Sequence, residues 1–543
     1  MRRLPLLFVL IAVLVLAACS PLAASPPNTT DGVAETQVAG RDAEAMEEPM
    51  DDVAEEDDFA AEAGAPPAPQ ADAALPEPQT TATPASTGTP APEEPVESLF
   101  QDYGTNPFTL TEADNLSTFA IDVDTGSYTI ARSYLNRGTL PPPDSVRLEE
   151  YINFFPQDYP LPQEDAFLID MEGAPTPFSS SETLVMRVGV QGFDVPDDQR
   201  PDANLIFVID VSGSMDGPER LGAVKEALFT LVDNLRDTDQ VGIVVYGSRG
   251  RILLELTPVA QTSRIITAID RLESEGSTNA EEGLRLAYEM ATANYDEDRI
   301  NRLILLSDGV ANVGATGPDT ILETVRVQAR EGITLTTVGF GMGNFNDVLM
   351  EQLANDGDGQ YFYVDGAVEA ARVFVNDLTG TLLTIARAAK IQVEFNPQTV
   401  EAYRLMGYEN RDVADEDFRN DEVDAGEIGA GHAVTALYEV VPVQGAQGVL
   451  ATARLRWEDP ASGQVTEIEQ AFSRDEVHET FEEASATFRL STAVAAFADL
   501  LSEGACVQNT DFETVHAVVR STTQDAVVLE LLALIDIAAS LSE

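Results

Sequence analysis

The chain has 543 residues, with 93 acidic against 31 basic side chains and a formal net charge of −62. That length predicts more than one domain with sizeable cores. The charge excludes a phosphate backbone as partner, because no Lys/Arg stripe offsets it, and makes cations and basic partners the natural ones.

The N-terminus reads Met1-Arg2-Arg3, an apolar run from Leu4 to Val15, then Leu16-Ala17-Ala18-Cys19. A basic start and a short apolar stretch read as an export signal, too short and wrongly flanked for a lasting membrane span. Leu-Ala-Ala-Cys resembles the bacterial lipobox, and the resemblance implies that residues 1–19 are a lipoprotein signal ending at Cys19, which is acylated; the alternative is an ordinary signal peptide cut near Ala18. Cys506 is then left without an intramolecular partner, so a disulfide framework is excluded. The expected location is the cell envelope, lipid-anchored to a bacterial membrane and facing outward or periplasmic.

Residues 20–98 are rich in Ala, Pro, Glu, Asp and Thr, with runs such as Asp51-Asp52-Val-Ala-Glu55-Glu56-Asp57-Asp58 and almost no large apolar residues. Such a segment cannot bury a core and reads as a disordered acidic tether, with a mean reach of ~50 Å as a flexible coil.

Residues 99–202 form an N-terminal module of helices then strands. Ser127–Asn136 and Ser145–Phe155 have helical spacing, the first closed by Gly138 and the second opened by Pro142, Pro143 and Asp144. Phe167, Ile169 and Met171 alternate, as do Leu184, Met186, Val188 and Val190, which is the period of half-buried strands. Asp122 and Asp124 suggest paired carboxylates or a second metal, but a turn before the following helix explains them more simply.

Residues 203–389 alternate strand and helix patterns, with apolar runs at Leu205–Ile209, Val241–Val245, Leu303–Leu306 and Ile333–Val338. The pattern predicts an α/β, doubly wound and mostly parallel sheet with helices on both faces. Arg251–Leu256 reads as an antiparallel edge hairpin reached through Gly247-Ser-Arg-Gly250. Ligands of such sheets sit beyond the carboxyl ends of the strands.

Phe207-Val-Ile-Asp210-Val-Ser212-Gly-Ser214 runs a strand into a turn carrying one carboxylate and two hydroxyls at alternate positions. Short oxygen donors on a tight loop suit a hard divalent cation with open positions. Complementary pieces follow at Gly276-Ser277-Thr278-Asn279-Ala280, before a helix, and Leu303-Ile-Leu-Leu-Ser307-Asp308-Gly309, after a strand. Together they resemble the von Willebrand factor A domain and its metal-ion-dependent adhesion site, onto which Asp210, Ser212, Ser214, Thr278 and Asp308 map one by one. The resemblance implies a Rossmann-like fold and a bound Mg2+, or Mn2+ or Ca2+. It also implies that the hydroxyls and Thr278 touch the ion while the aspartates act mostly through water, and that a Glu or Asp of a protein partner completes the site.

Residues 390–543 return to strands at Ile391–Phe395, Ala433–Val441 and Leu450–Trp457 and end in helices at Ala486–Leu501 and Val527–Leu541. This predicts a β-rich domain closed by a helical segment. If its strands pair with those before residue 203, the A domain is inserted into a discontinuous domain. The acidic stretch Glu409–Glu427 matches no EF-hand spacing and reads as a solvated loop.

Ser117-Thr-Phe-Ala-Ile-Asp122-Val-Asp124-Thr-Gly-Ser-Tyr128, Val146-Arg-Leu-Glu-Glu-Tyr-Ile-Asn-Phe-Phe155 and Asp424-Ala-Gly-Glu-Ile-Gly-Ala-Gly-His432-Ala-Val-Thr-Ala-Leu-Tyr438 are similar to a bacterial family of A-domain lipoproteins with an N-terminal associated module and a C-terminal domain of unknown function. Some members carry a calcium-activated chloride channel label, but this chain lacks the spans a pore needs.

Enzyme readings fare poorly. Only His432, His478 and His516 occur, none paired at metal-ligand spacing, and no base neighbours Ser212 or Ser214 in sequence. Gly339-Phe-Gly341-Met-Gly343 lacks the last glycine of a dinucleotide fingerprint and reads as a strand-to-helix turn. The expectation is a non-enzymatic envelope protein that binds a macromolecular partner through the metal. The alternative is a scaffold of an envelope or export complex in which the metal only stabilises loops.

Overall fold

The computed structural model describes residues 100–542 apart from 164, 179–182, 197, 310–317, 343–344, 377, 422, 424 and 505–509. The expected signal, Cys19 and the 20–98 tether lie outside the described residues, as does Cys506. Among the described residues no helix is long and apolar enough to cross a membrane.

Residues 203–364 build the sheet that positions the candidate site. Its strands run in the order Tyr361–Val364, Ile333–Phe340, Ile300–Ser307, Ala203–Asp210, Gln240–Tyr246 and Gly250–Pro258. All neighbours are parallel except the last pair, where the expected edge hairpin runs antiparallel. The strand Ala203–Asp210 is buried along its whole length. Leu205, Phe207 and Ile209 enter one core with Val224, Leu228 and Leu231 of helix Ala223–Asn234. Ile206 and Val208 enter the opposite core with Leu284 and Ala287 of helix Ala280–Ala293 and with Leu349 and Leu353 of helix Asp347–Asn355. Period-two alternation thus feeds two helical layers, the requirement of a parallel sheet covered on both faces.

The flanking segments share their sheets. Leu184–Gly192 pairs with Ala433–Pro442, and Leu116–Ala120 pairs with Thr384–Phe395, each antiparallel. One sheet has the order Thr109–Leu110, Val400–Met406, Ala433–Pro442, Leu184–Gly192, Phe167–Pro175. The second has Gly426–Gly429, Thr384–Phe395, Val449–Glu458, Val465–Ser473. Met186, Val188 and Val190 of the first pack with Ile391, Val393 and Leu455 of the second in a common core. The parallel sheet therefore leaves and re-enters a two-sheet frame.

Three expectations need correction. Leu184–Gly192 is buried at every position rather than on one face. Its Val185 joins a fourth core, built largely by Phe488, Val494 and Phe497 of helix Ala486–Leu501 and by Leu531 and Ile535 of helix Ala526–Ser542, so helices cover the face that alternation left for solvent. The helix expected from Ser145 starts at Leu148 and ends at Asn153, because Arg147 is extended at φ −112° and ψ 113° and donates its backbone N–H to Ser127 Oγ at 2.9 Å. The acidic loop after Glu409 is not simply solvated. Arg411 reaches inward to Asp122 at 3.0 Å and Glu351 at 3.2 Å, and Lys390 Nζ donates to Asn420 O at 2.7 Å.

Candidate functional site

Two neighbouring parallel strands, Ala203–Asp210 and Ile300–Ser307, end side by side, which carries Asp210 and Asp308 to the same edge. Ser307 Oγ donates to Asp210 Oδ2 at 3.1 Å and accepts the Gly309 N–H at 3.1 Å. The other carboxylate oxygen, Asp210 Oδ1, accepts the Ser212 N–H at 2.8 Å, the local turn that Asp favours. This turn and the short 3₁₀ segment Gly213–Met215 bring the hydroxyls of Ser212 and Ser214 to 3.0 Å. Met215 is fully buried beneath and anchors the segment.

A second loop is laced to the first. Ser274 Oγ donates to Ser212 O at 3.2 Å, and the Gly213 N–H donates to Gly276 O at 3.0 Å. Gly276 has φ +72°, and a Cβ there would strike Ser248 Oγ at 2.2 Å, so the loop needs glycine at this position. Thr278 follows half-buried, and Asn279 caps helix Ala280–Ala293 by accepting the Glu282 N–H. The structure thus joins Asp210, Ser212 and Ser214 directly, places Asp308 within their electrostatic reach, and holds the Thr278 segment against them through its backbone.

Asp210 and Ser212 are almost wholly buried, while Ser214 is half-buried and Gly213 exposed, so the cluster opens to solvent on the side of the 213–214 turn. Burial raises Asp210 to about 6, the Asp308 charge adds to this, and the Ser212 and Ser307 hydrogen bonds oppose it. The donor set fits a hard cation. Adjacent ligands on an octahedral ion at 2.0–2.1 Å stand about 3 Å apart, the separation of the two serine hydroxyls.

Sequence reasoning missed Arg220. Its guanidinium stands 3.6 Å from Asp308 Oδ2, donates to Ser214 O, and donates to Met342 O at 2.7 Å. No motif marks it. The available signal was Gly341, where φ is +77° and a Cβ would meet the Arg220 side chain at 2.5 Å. The described part of the Gly339–Met342 segment is the end of strand Ile333–Phe340 and a turn toward helix Asp347–Asn355.

The histidines lie elsewhere. His478 Nε2 is 3.0 Å from Glu172, His516 is 3.6 Å from Asp536, and His432 Nδ1 is 3.3 Å from Gln360 Nε2.

Asp122 and Asp124 do form a turn, with the Asp124 N–H donating to Asp122 Oδ1 at 2.8 Å. Both are buried, however, and Asp122 stands with Glu149 and Glu150, each offering a carboxylate oxygen within 4.8 Å of the others. Burial and the neighbouring carboxylates raise Glu149 and Glu150 above the usual carboxylate range, against the pull of Arg147 on Glu150.

Residues 204–376 match the model of the von Willebrand factor type A domain, residues 94–186 a model described as von Willebrand factor, and residues 380–451 and 444–541 the C-terminal model of uncharacterized protein YfbK. Uncharacterized protein YfbK of Escherichia coli (strain K12) is 41% identical over 349 residues, 63% of this chain and 60% of that protein. Uncharacterized protein sll0103 of Synechocystis is 30% identical over 300 residues, 54% of this chain and 69% of that protein. The chain belongs to the bacterial von Willebrand factor A-domain family. It spans about 60% of the length of the YfbK relative. Among solved structures, von Willebrand factor type A from Catenulispora acidiphila has a TM-score of 0.40 at 17% identity, covering 62% of this chain and 81% of that one. In this family member the A-domain match spans the strand ends that carry Asp210 and Asp308, the loop of Ser212 and Ser214, and the loop of Thr278.

Proposed function

We propose that this protein is a lipid-anchored component of the cell envelope that captures a macromolecular partner through a divalent cation held by its A domain. Ser212, Ser214 and Thr278 would hold the ion, Mg2+ ahead of Mn2+ or Ca2+, with Asp210 and Asp308 orienting its water. The ion supplies an electrophilic position for a carboxylate of the partner. The observation that carries this reading is the pair of serine hydroxyls 3.0 Å apart beside two buried aspartates.

The chain's own residues set what can approach. Asp216, Glu219, Glu273 and Glu275 are exposed on the loops around the turn. A partner that offers Glu or Asp to the ion must therefore carry basic residues around that carboxylate to offset the acidic rim. Anchoring through Cys19 and the acidic tether would let the body reach partners away from the membrane.

The test is capture from envelope extract by the full chain in Mg2+ or EDTA, with Asp308→Ala beside it. Adhesion through the ion predicts a basic-rimmed protein partner that is released by EDTA and absent from the variant. A partner retained in EDTA, together with a lowered melting temperature in Asp308→Ala, would place the ion in a purely stabilising role.

A further inference from the structure

We propose that Asp122, Glu149 and Glu150 form a second divalent-cation site, selective for Ca2+, at the junction of the A domain with the frame that surrounds it. The three carboxylates converge from the turn after strand Leu116–Ala120 and from the first turn of helix Leu148–Asn153, with one oxygen of each within 4.8 Å of the others. Ca2+ binds oxygens at 2.3–2.6 Å in irregular geometries, so its ligands can stand up to about 5 Å apart, whereas Mg2+ demands a near-ideal octahedron and gives up its water reluctantly. Three carboxylates within 4.8 Å of one another lie inside the reach of Ca2+.

A second observation points to a ligand. Glu149 is 1% exposed, and its Oε2 accepts the Tyr408 N–H at 3.0 Å, yet its Oε1 is buried with no hydrogen-bond partner. No ion pair to Glu149 is found among the described residues, although the two other carboxylates are each engaged by an arginine: Asp122 by Arg411 at 3.0 Å and Glu150 by Arg147. A buried, unsatisfied carboxylate oxygen is costly unless something outside the protein meets it. Its setting is held under backbone strain as well, since Tyr408 delivers its N–H from φ +64°.

The charge balance agrees. Asp122, Asp124, Glu149, Glu150, Asp347 and Glu351 are all buried, and Arg147 and Arg411 are the arginines that pair with this group. A divalent cation at Glu149 removes much of the excess. Glu149 also lines, with Arg147, a cleft of about 270 Å³ whose other walls include Asp102, Asp144, Glu409, Asp499 and Glu503. The ion would add a further tie between segments already joined by Asn153 Nδ2 donating to Asp122 O and by the Arg147 and Arg411 ion pairs: the N-terminal turn, the helix at Glu149 and, through the arginines, the A-domain helix Asp347–Asn355.

The proposal does not depend on the A-domain site, and its test silences that site. The full chain carrying Asp210→Ala and Asp308→Ala is stripped with EDTA and titrated with CaCl2 by calorimetry, with melting temperature recorded in parallel. The expected result is one Ca2+ bound per chain and a melting temperature raised by Ca2+ more than by Mg2+. Adding Glu149→Gln should weaken binding about 100-fold or abolish it, through loss of ligand charge, and remove the thermal shift. In EDTA the same substitution should leave the melting temperature equal or higher, because a buried carboxyl without an ion-pair partner is gone. Should Glu149→Gln not fold, Asp122→Asn replaces it with the same expected loss. No Ca2+ uptake by the silenced chain, or uptake unchanged by either substitution, would overturn the proposal and leave the cluster to carry its excess charge as protons.

Discussion

Arg220 holds its guanidinium 3.6 Å from the Asp308 carboxylate and hydrogen-bonds the backbone of Ser214, so a cation of the protein's own already stands at the edge of the candidate metal centre. Its charge opposes a divalent ion there, and partial exposure screens the effect only in part. Arg220→Met keeps the apolar stem and removes the charge. Mg2+ affinity is expected to rise by roughly threefold to tenfold, consistent with a partly screened pair, and a calorimetric titration reads it. A fall in affinity would mean that Arg220 shapes the loop more than it repels the ion.

Ser214 is the half-buried hydroxyl on the solvent side of the cluster, and its Oγ makes one hydrogen bond, to Ser212 Oγ. Ser214→Ala removes a donor and takes from the buried Ser212 hydroxyl its Ser214 partner, so stability in EDTA should fall by about 0.5–1.5 kcal/mol, the worth of one hydrogen bond. Mg2+ binding should weaken by about 10- to 100-fold, the scale seen when groups around a metal are lost.

Asp239 fastens the entry to the A-domain sheet. It is wholly buried and accepts from both Nη atoms of Arg200, from the Ala203 N–H at 2.8 Å and from the Arg236 N–H at 2.9 Å. Burial works against its ionisation, yet the Arg200 hydrogen bonds and the backbone donors hold its carboxyl below the usual range. Asp239→Ala leaves Arg200 buried and unpaired, which costs about 3–5 kcal/mol. Chemical denaturation followed through the A domain should show this loss, while Mg2+ affinity of the folded fraction stays unchanged.

His432 gives the frame a pH dependence. Burial, with Arg372 and Arg302 adding to it, pushes this imidazole from 6.5 down to about 4. Between those values the unfolded chain takes up a proton that the native side chain refuses. Stability from this group is therefore full above about 6.5, falls as pH drops through the window and levels off below about 4. Against His432→Gln, the parent should lose up to about 1.4 kcal/mol per pH unit within the window. Melting temperatures of both proteins at matched pH values check it, and parallel curves would contradict the assignment.

The sheet of the A domain was legible because each strand is a continuous apolar run bounded by turn residues, as at Leu205–Ile209 and Leu303–Leu306. Asp210, Ser212 and Ser214 were legible because their chemistry is local, three oxygen donors on one turn. What the sequence hid is tertiary. Glu149 and Asp122 meet only after strand Leu116–Ala120 and helix Leu148–Asn153 have packed, and no spacing rule joins them. Helix Phe512–Arg520 escaped notice because it is short and its burial rests mainly on Val515 and Val519. Strand Val465–Ser473 was missed for a related reason, since it pairs at the edge of its sheet and carries exposed Glu469, Gln470 and Ala471 in place of an apolar stripe.

A calorimetric Mg2+ titration of the full chain beside Asp210→Ala, followed by capture from envelope extract in Mg2+ or EDTA, decides whether recognition depends on the metal. Metal-dependent recognition requires saturable binding in the parent, its loss in the variant, and a partner that EDTA releases. Absence of Mg2+ binding in the parent, or a partner held equally by parent and variant in EDTA, would contradict it.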